Sequence, residues 1–145
     1  MATISQSALL PYSAAQMFAL VNDIAAYPQF MQGCLGAEVL SAAPGSVTAR
    51  LDLGKAGLRY SLTTRNELSA PERMTMTLVD GPFSSFSAEW RFLPLKEDAC
   101  KTTLDMRFEF RAGLIDRALK ALFEATSREL VNSIIKRAEH LYGRK

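Results

Sequence analysis

From Val47 to Phe110 the chain alternates apolar and polar residues with hardly a break. Val47, Ala49, Leu51 and Leu53 alternate with Thr48, Arg50 and Asp52. Leu58, Tyr60, Leu62 and Thr64 alternate with Arg59, Ser61 and Thr63, and Met74, Met76 and Leu78 follow at the same spacing. The pattern continues through Phe86, Ala88, Trp90 and Phe92, and again from Cys100 to Phe110. Successive side chains in a strand point to opposite faces, so a period of two predicts strands buried on one side only. The breaks fall at Pro44-Gly45, Gly54–Gly57, Ala70-Pro71-Glu72, Asp80-Gly81-Pro82 and Pro94–Asp98. Connections this short join antiparallel neighbours. Thr3–Leu10 predicts a further strand at the start, and Leu35, Ala37 and Val39 predict another before the block.

Two stretches have a helical period instead. Ser13-Ala14-Ala15-Gln16 has the form of a capping box, in which the hydroxyl and the amide side chain satisfy each other's backbone donors. Tyr12 and Met17 occupy the positions of a hydrophobic staple. The stripe Met17, Val21 and Ile24 predicts a helix ending at Tyr27, because Pro28 disfavours helical geometry before it. Gln29–Gln32 is expected to add one short helical turn. The second stretch runs from Leu114 to Tyr142, about 43 Å at 1.5 Å per residue. Its apolar stripe is Ile115, Leu119, Leu122, Phe123, Thr126, Leu130, Ile134, Ala138 and Leu141. Gly113 precedes it, Asp116 lies in its first turn, Lys136, Arg137 and His140 lie near its end, and Gly143 follows. That charge order suits the helix dipole.

The predicted order is strand, helix, short helix, six strands, long helix. It describes an α+β protein, one domain over residues 1–145, with a curved antiparallel sheet around a long C-terminal helix. One helix seldom fills the hollow of a curved sheet, so the space between them is a candidate pocket. Nine residues are expected to face it: Tyr60, Met74, Met76, Trp90, Phe92, Met106, Phe108, Phe123 and Leu130. Methionine adapts to irregular apolar shapes, and ligand pockets are mostly apolar and aromatic. The same pattern also describes an ordinary core, and spacing alone does not separate the two.

Composition narrows the function classes. The 145 residues carry a formal charge of +2, too balanced to argue by itself for a nucleic-acid partner. Cys34 and Cys100 have no CxxC spacing, and two reduced, buried thiols are the simplest expectation. The first residues carry no secretion or import signal, and no apolar run nears the roughly 20 residues that cross a bilayer. A cytoplasmic protein, reaching the inner membrane only as a peripheral visitor, is expected. The sole histidine, His140, belongs to an exposed last turn, away from any nucleophile. No metal-ligand spacing and no phosphate-binding glycine motif is present. Glu89 and Glu109 read as solvated partners of neighbouring arginines. No catalytic or metal-binding residue is assigned.

Several segments, in order, resemble a known family. They are Leu10-Pro11-Tyr12-Ser13-Ala14, Met17-Phe18-Ala19-Leu20-Val21, Asp23 and Tyr27-Pro28-Gln29-Phe30. Then come Thr63-Thr64-Arg65-Asn66, Asp80-Gly81-Pro82-Phe83, Trp90-Arg91-Phe92 and Phe108-Glu109-Phe110. Together, over essentially the whole chain, they resemble the START-like proteins described as coenzyme Q-binding proteins, oligoketide cyclase/lipid transport proteins and ribosome-association toxins. The resemblance implies a helix-grip fold with a hydrophobic tunnel. It implies non-catalytic binding of a lipid, ubiquinone or another polyprenyl compound, in support of respiratory electron transport. Two alternatives come with it. One is a toxin that binds the large ribosomal subunit and blocks translation initiation, for which Arg50, Arg59, Arg65, Arg91, Lys101, Arg107 and Arg111 on the strands, with Arg117, Lys120, Arg128, Lys136 and Arg137 on the helix, are candidates. The other is a polyketide cyclase or aromatase, for which only Tyr60 and Asn66 offer polar chemistry on the inner side. No cofactor is implied beyond a bound quinone or lipid.

Overall fold

The computed structural model describes residues 2–55, 57–111 and 117–143. Seven strands form one antiparallel sheet: β1 (Ala2–Leu10), β2 (Cys34–Ala43), β3 (Ser46–Lys55), β4 (Leu58–Ser69), β5 (Arg73–Asp80), β6 (Phe83–Lys96) and β7 (Ala99–Phe110). Their spatial order is β1-β7-β6-β5-β4-β3-β2. The strands from β2 onward are joined as consecutive hairpins, while β1 pairs with β7, Ala2 opposite Phe108 and Leu10 opposite Cys100. The chain between β1 and β2 therefore crosses from one sheet edge to the other. It does so through α1 (Ala14–Asn22) and a 3-10 helix (Ile24–Gln29). The long α2 (Arg117–Tyr142) follows β7 and covers the inner face. This is the predicted helix-grip order.

The strand alternation holds. Phe86, Ala88, Trp90 and Phe92 on β6 are buried, as are Cys100, Thr102, Leu104, Met106 and Phe108 on β7. β2 departs from expectation. Its ladder to β3 is broken by irregularities between Cys34 and Gly36 and between Val39 and Ser41. Cys34 turns inward, leaving Leu35 50% and Val39 44% exposed. An extra residue in one strand shifts the facing of those after it, which a strict period of two does not anticipate.

The capping box forms as predicted: the Gln16 backbone N–H donates to Ser13 Oγ, and the Ser13 backbone N–H donates to Gln16 Oε1. The first helix stops earlier than Tyr27. Asp23 takes a non-helical ψ of 68° and its N–H donates to Leu20 O. The second helical piece is Ile24–Gln29, with Pro28 inside it, and replaces the turn expected at Gln29–Gln32. A short 3-10 segment tolerates proline because few of its residues need to donate. Tyr27 closes the segment by accepting from Phe30 and Met31 N–H, and its hydroxyl donates to Val21 O. Gly33 follows at φ 84°, and a Cβ there would lie 2.9 Å from Thr126 Oγ1 of α2. Glycine thus serves both the left-handed backbone and the close approach of this turn to the helix.

On α2 the buried residues are Phe123, Thr126, Ser127, Val131, Ile134 and Ala138. The predicted Leu141 is 46% exposed instead. The burying face includes Tyr142, whose ring meets Tyr12 at 5.8 Å and whose hydroxyl donates to Gln16 O. Tyr12 Oη donates to Gly143 O and Gln6 Nε2 to Arg128 O, so β1, the turn after it and α1 hold α2 from its middle to its end. Gly113, Leu114, Ile115 and Asp116, expected to start this helix, lie outside the described residues, as do Ala56 and Arg144. Among the described residues no helix is long and apolar enough to cross a membrane.

The interior divides into two clusters. The larger joins β1, α1 and β4–β7 to α2, and the smaller joins the 3-10 segment, β2 and β3 through Ile24, Tyr27, Met31, Cys34, Ala49 and Leu53. Tyr60, Leu130 and Phe30 touch both.

A candidate ligand cavity under the long helix

A cavity of about 50 Å³ lies where the two clusters meet. The sheet supplies Leu51, Leu53, Leu62, Met76, Phe86, Trp90, Leu104 and Met106. The 3-10 segment and the residue after its cap supply Tyr27 and Met31, and α2 supplies Phe123, Thr126, Ser127 and Leu130. Each strand contributes alternate positions because only every second side chain faces inward. α2 contributes residues three and four apart because those share a helix face.

Five of the nine expected residues line this space: Met76, Trp90, Met106, Phe123 and Leu130. Met74, Phe92 and Phe108 are buried but lie outside the wall, packed within the larger cluster. Trp90 stacks on Phe92 at 6.2 Å, and Phe92 in turn meets Phe18 of α1. Those contacts turn Phe92 to the α1 end of the molecule. Phe108 packs edge-on against Phe123 at 4.8 Å. Tyr60 also meets the Phe123 ring, at 6.2 Å, but borders an outer groove rather than the cavity. Residues the sequence did not single out complete the wall. Leu51, Leu53, Leu62 and Leu104 were signalled by alternation alone, whereas Tyr27 and Met31 had no periodic signal, since the 3-10 segment carries them in.

The wall is almost wholly apolar. Its hydroxyls are those of Tyr27, committed to Val21 O, and of Thr126 and Ser127. Among the described residues no carboxylate, histidine or basic side chain lines it. Burial pushes the Tyr27 phenol well above its ordinary ionisation range. Asn66 and Thr64 are buried close by on β4, and Thr64 Oγ1 donates to Asn66 Oδ1. Both cysteines are free and buried, and burial raises both thiols. Among the described residues no cluster of metal-ligating side chains forms.

The outer face is mixed in charge. Arg50 pairs with Glu38 and Asp52, Arg65 with Glu67, and Arg91 with Glu89. Arg137 lies over the Phe30 ring and donates to Gln29. The remaining candidates, among them Arg59, Lys101, Arg107, Lys120, Arg128 and Lys136, are exposed and form no ion pair among the described residues. Glu109 is likewise exposed without one.

Residues 10–135 match the family model described as polyketide cyclase / dehydrase and lipid transport. The chain belongs to this family. Among family relatives, the persistence and stress-resistance toxin PasT of Escherichia coli O6:H1 is 43% identical, with 99% of this chain and 90% of that protein aligned. The ribosome association toxin RatA of Escherichia coli K12 is 42% identical over the same shares. A coenzyme Q-binding protein COQ10 homolog B of Xenopus laevis is 26% identical, across 97% of this chain and 59% of that protein. Among solved structures, the Zhui aromatase/cyclase of a Streptomyces species superposes with a TM-score of 0.82 at 20% identity, covering 95% of this chain and 93% of that one. A START superfamily protein of Mycobacterium smegmatis gives a TM-score of 0.80 at 23% identity, over 96% and 98%. These two likenesses establish the shared fold. The family's description itself covers both cyclase/dehydrase and lipid-transport proteins.

Proposed function

We propose that this chain is a non-catalytic binding protein that takes a polyprenyl quinone or a similar apolar lipid between the sheet and α2. The apolar cavity at the seam of two clusters carries this reading. A tail burying about 400 Å² of apolar surface gains roughly 10 kcal/mol at ~25 cal/mol per Å². Association and ordering costs take back much of it and leave micromolar binding within reach. The present cavity of about 50 Å³ is far smaller than the roughly 300 Å³ or more that a ligand of this size occupies. Binding therefore requires α2 and the 3-10 segment to move apart along the seam, where the two clusters share few side chains. Proton-transfer chemistry is not favoured, because the wall offers no group poised to accept or give a proton near neutral pH. The test uses Trp90, the single tryptophan, which lies in the wall. Ubiquinone should quench its fluorescence saturably, and lipid extracted from natively purified protein should contain a stoichiometric isoprenoid. Absence of both would remove this reading.

A second reading is favoured by the names of the relatives that are 42–43% identical over nearly the whole chain. In it the outer face binds the large ribosomal subunit and limits initiation. The unpaired cations of that face are the contacts it would use, and phosphate contacts make such binding fall steeply with salt. Co-sedimentation with large subunits at low salt, lost as salt rises, is the expected result. The two readings use different surfaces and are compatible in one molecule.

A further inference from the structure

We infer that Tyr60 is the polar anchor of the ligand site and that the groove it borders is the entrance for an apolar molecule bearing a carbonyl oxygen; this rests on the ligand-binding reading above. Tyr60 stands opposite Leu53 in the β3–β4 ladder. Leu53 belongs to two walls, that of the cavity and that of an outer groove of about 420 Å³. Tyr60 lines the groove and presses its ring against Phe123 of the cavity wall. These two residues are therefore the partition between groove and cavity. Leu35 forms an apolar lip to the groove, half exposed because the β2 irregularity turned it outward. Ser61 and Asp52, hydrogen-bonded to each other at 2.8 Å, form a polar rim together with Arg59.

The hydroxyl of Tyr60 is the decisive detail. Its oxygen is buried and has no hydrogen-bond partner. Such a group costs stability, and phenylalanine would fill the same ring position without that cost. Burial raises its ionisation far above the ordinary tyrosine range, so at neutral pH it is a proton donor. A buried donor in an apolar partition fits an acceptor that carries no charge of its own, such as a quinone, ketone or ester carbonyl. A charged head at the Tyr60 hydroxyl would have to shed its water there, because the cavity wall carries no charge and Arg59 and Asp52, opposite in sign, lie in the groove outside it. The ligand class that fits is a neutral carbonyl group on an apolar tail, with the carbonyl resting at the junction and the tail inside.

The experiment compares wild type with Tyr60→Phe, using two probes: decylubiquinone, which has ring carbonyls, and dodecylbenzene, which has none. Affinities are read by equilibrium dialysis, with Trp90 quenching as a second readout for the quinone. Loss of one neutral hydrogen bond predicts about 3- to 10-fold weaker quinone binding by Tyr60→Phe, with dodecylbenzene affinity unchanged. Without ligand the melting temperature of Tyr60→Phe should equal or exceed that of wild type, the opposite of what a structural hydroxyl would give. Leu35→Glu should slow quinone association several-fold without changing the apo melting temperature. If both probes bind both forms equally, Tyr60 is not the anchor, while the cavity reading stands. An unchanged association rate in Leu35→Glu removes the groove as entrance. If neither probe binds wild type, the cavity reading fails and this inference fails with it.

Discussion

The two hydrophobic clusters differ in how they are closed. In the larger one, Phe83, Phe86, Phe108 and Phe110 all meet Phe123 of α2, with ring centroids 4.8–6.3 Å apart. Such edge-on aromatic packing adds to the area each ring buries. Among the described residues the smaller cluster has one internal ring pair, Tyr27 with Phe30, and a shared ring in Tyr60, and otherwise rests on aliphatic and sulfur-bearing groups. It is attached to α2 through Leu130, the close approach of Gly33 to Thr126 and the contacts of Arg137 with Phe30 and Gln29. The void lies on the boundary of the two, so the rigid half of the molecule serves as a frame and the lighter half as the part able to yield.

That contrast can be broken by measurement. Phe123→Ala removes the hub of the aromatic set and should cost about 3–5 kcal/mol in urea unfolding. A cost near 1 kcal/mol would mean that the aromatic half is not the frame. A finer comparison uses two leucines of equal exposure, 3% each: Leu20 in the larger cluster and Leu53 in the smaller. Leu20→Ala should fall in the upper part of the roughly 2–5 kcal/mol range for such truncations, and Leu53→Ala in the lower part, because Leu53 already borders a void and has fewer neighbours to lose. Equal costs would dissolve the distinction.

The smallest effect expected is on pH dependence. Burial raises Cys34 and Tyr27 in the smaller cluster, Cys100 in the larger, and Tyr60 between them. Each is neutral when protonated, so the unfolded chain ionises first as pH rises. Stability should hold below about pH 8.5, then decline through about pH 10, where unfolded cysteine and tyrosine lose their protons. Unfolding midpoints at pH 7, 9 and 10.5 check this. Tyr60→Phe should flatten the decline near pH 10 without removing a hydrogen bond.

Much of the fold was legible because one-faced strands leave a plain trace. The alternation named the buried residues of β6 from Phe86 and those of β7, though not Phe83, which lies out of phase across a ladder irregularity, and Ser13 and Gln16 announced the start of α1. What escaped was conformation without a period. The outward turn of Leu35 depends on a ladder irregularity, and the entry of Tyr27 and Met31 depends on a 3-10 segment that contains proline. The candidate site was half legible for the same reason. Facing inward was readable for Met74, Phe92 and Phe108, but whether an inward side chain meets a neighbour or a void depends on how α2 is seated. That seating is set by Tyr12, Gln6 and Tyr142, residues distant in sequence from the wall.

The pairing of β1 with β7 bears on how the chain is made. Ala2 cannot meet Phe108 until the last strand has been synthesised, about 5–20 s later at common elongation rates. Through that interval a finished strand travels with its backbone unpaired, the kind of edge that invites association with other chains. The nascent protein therefore has to be shielded, or kept unfolded, until its final third emerges.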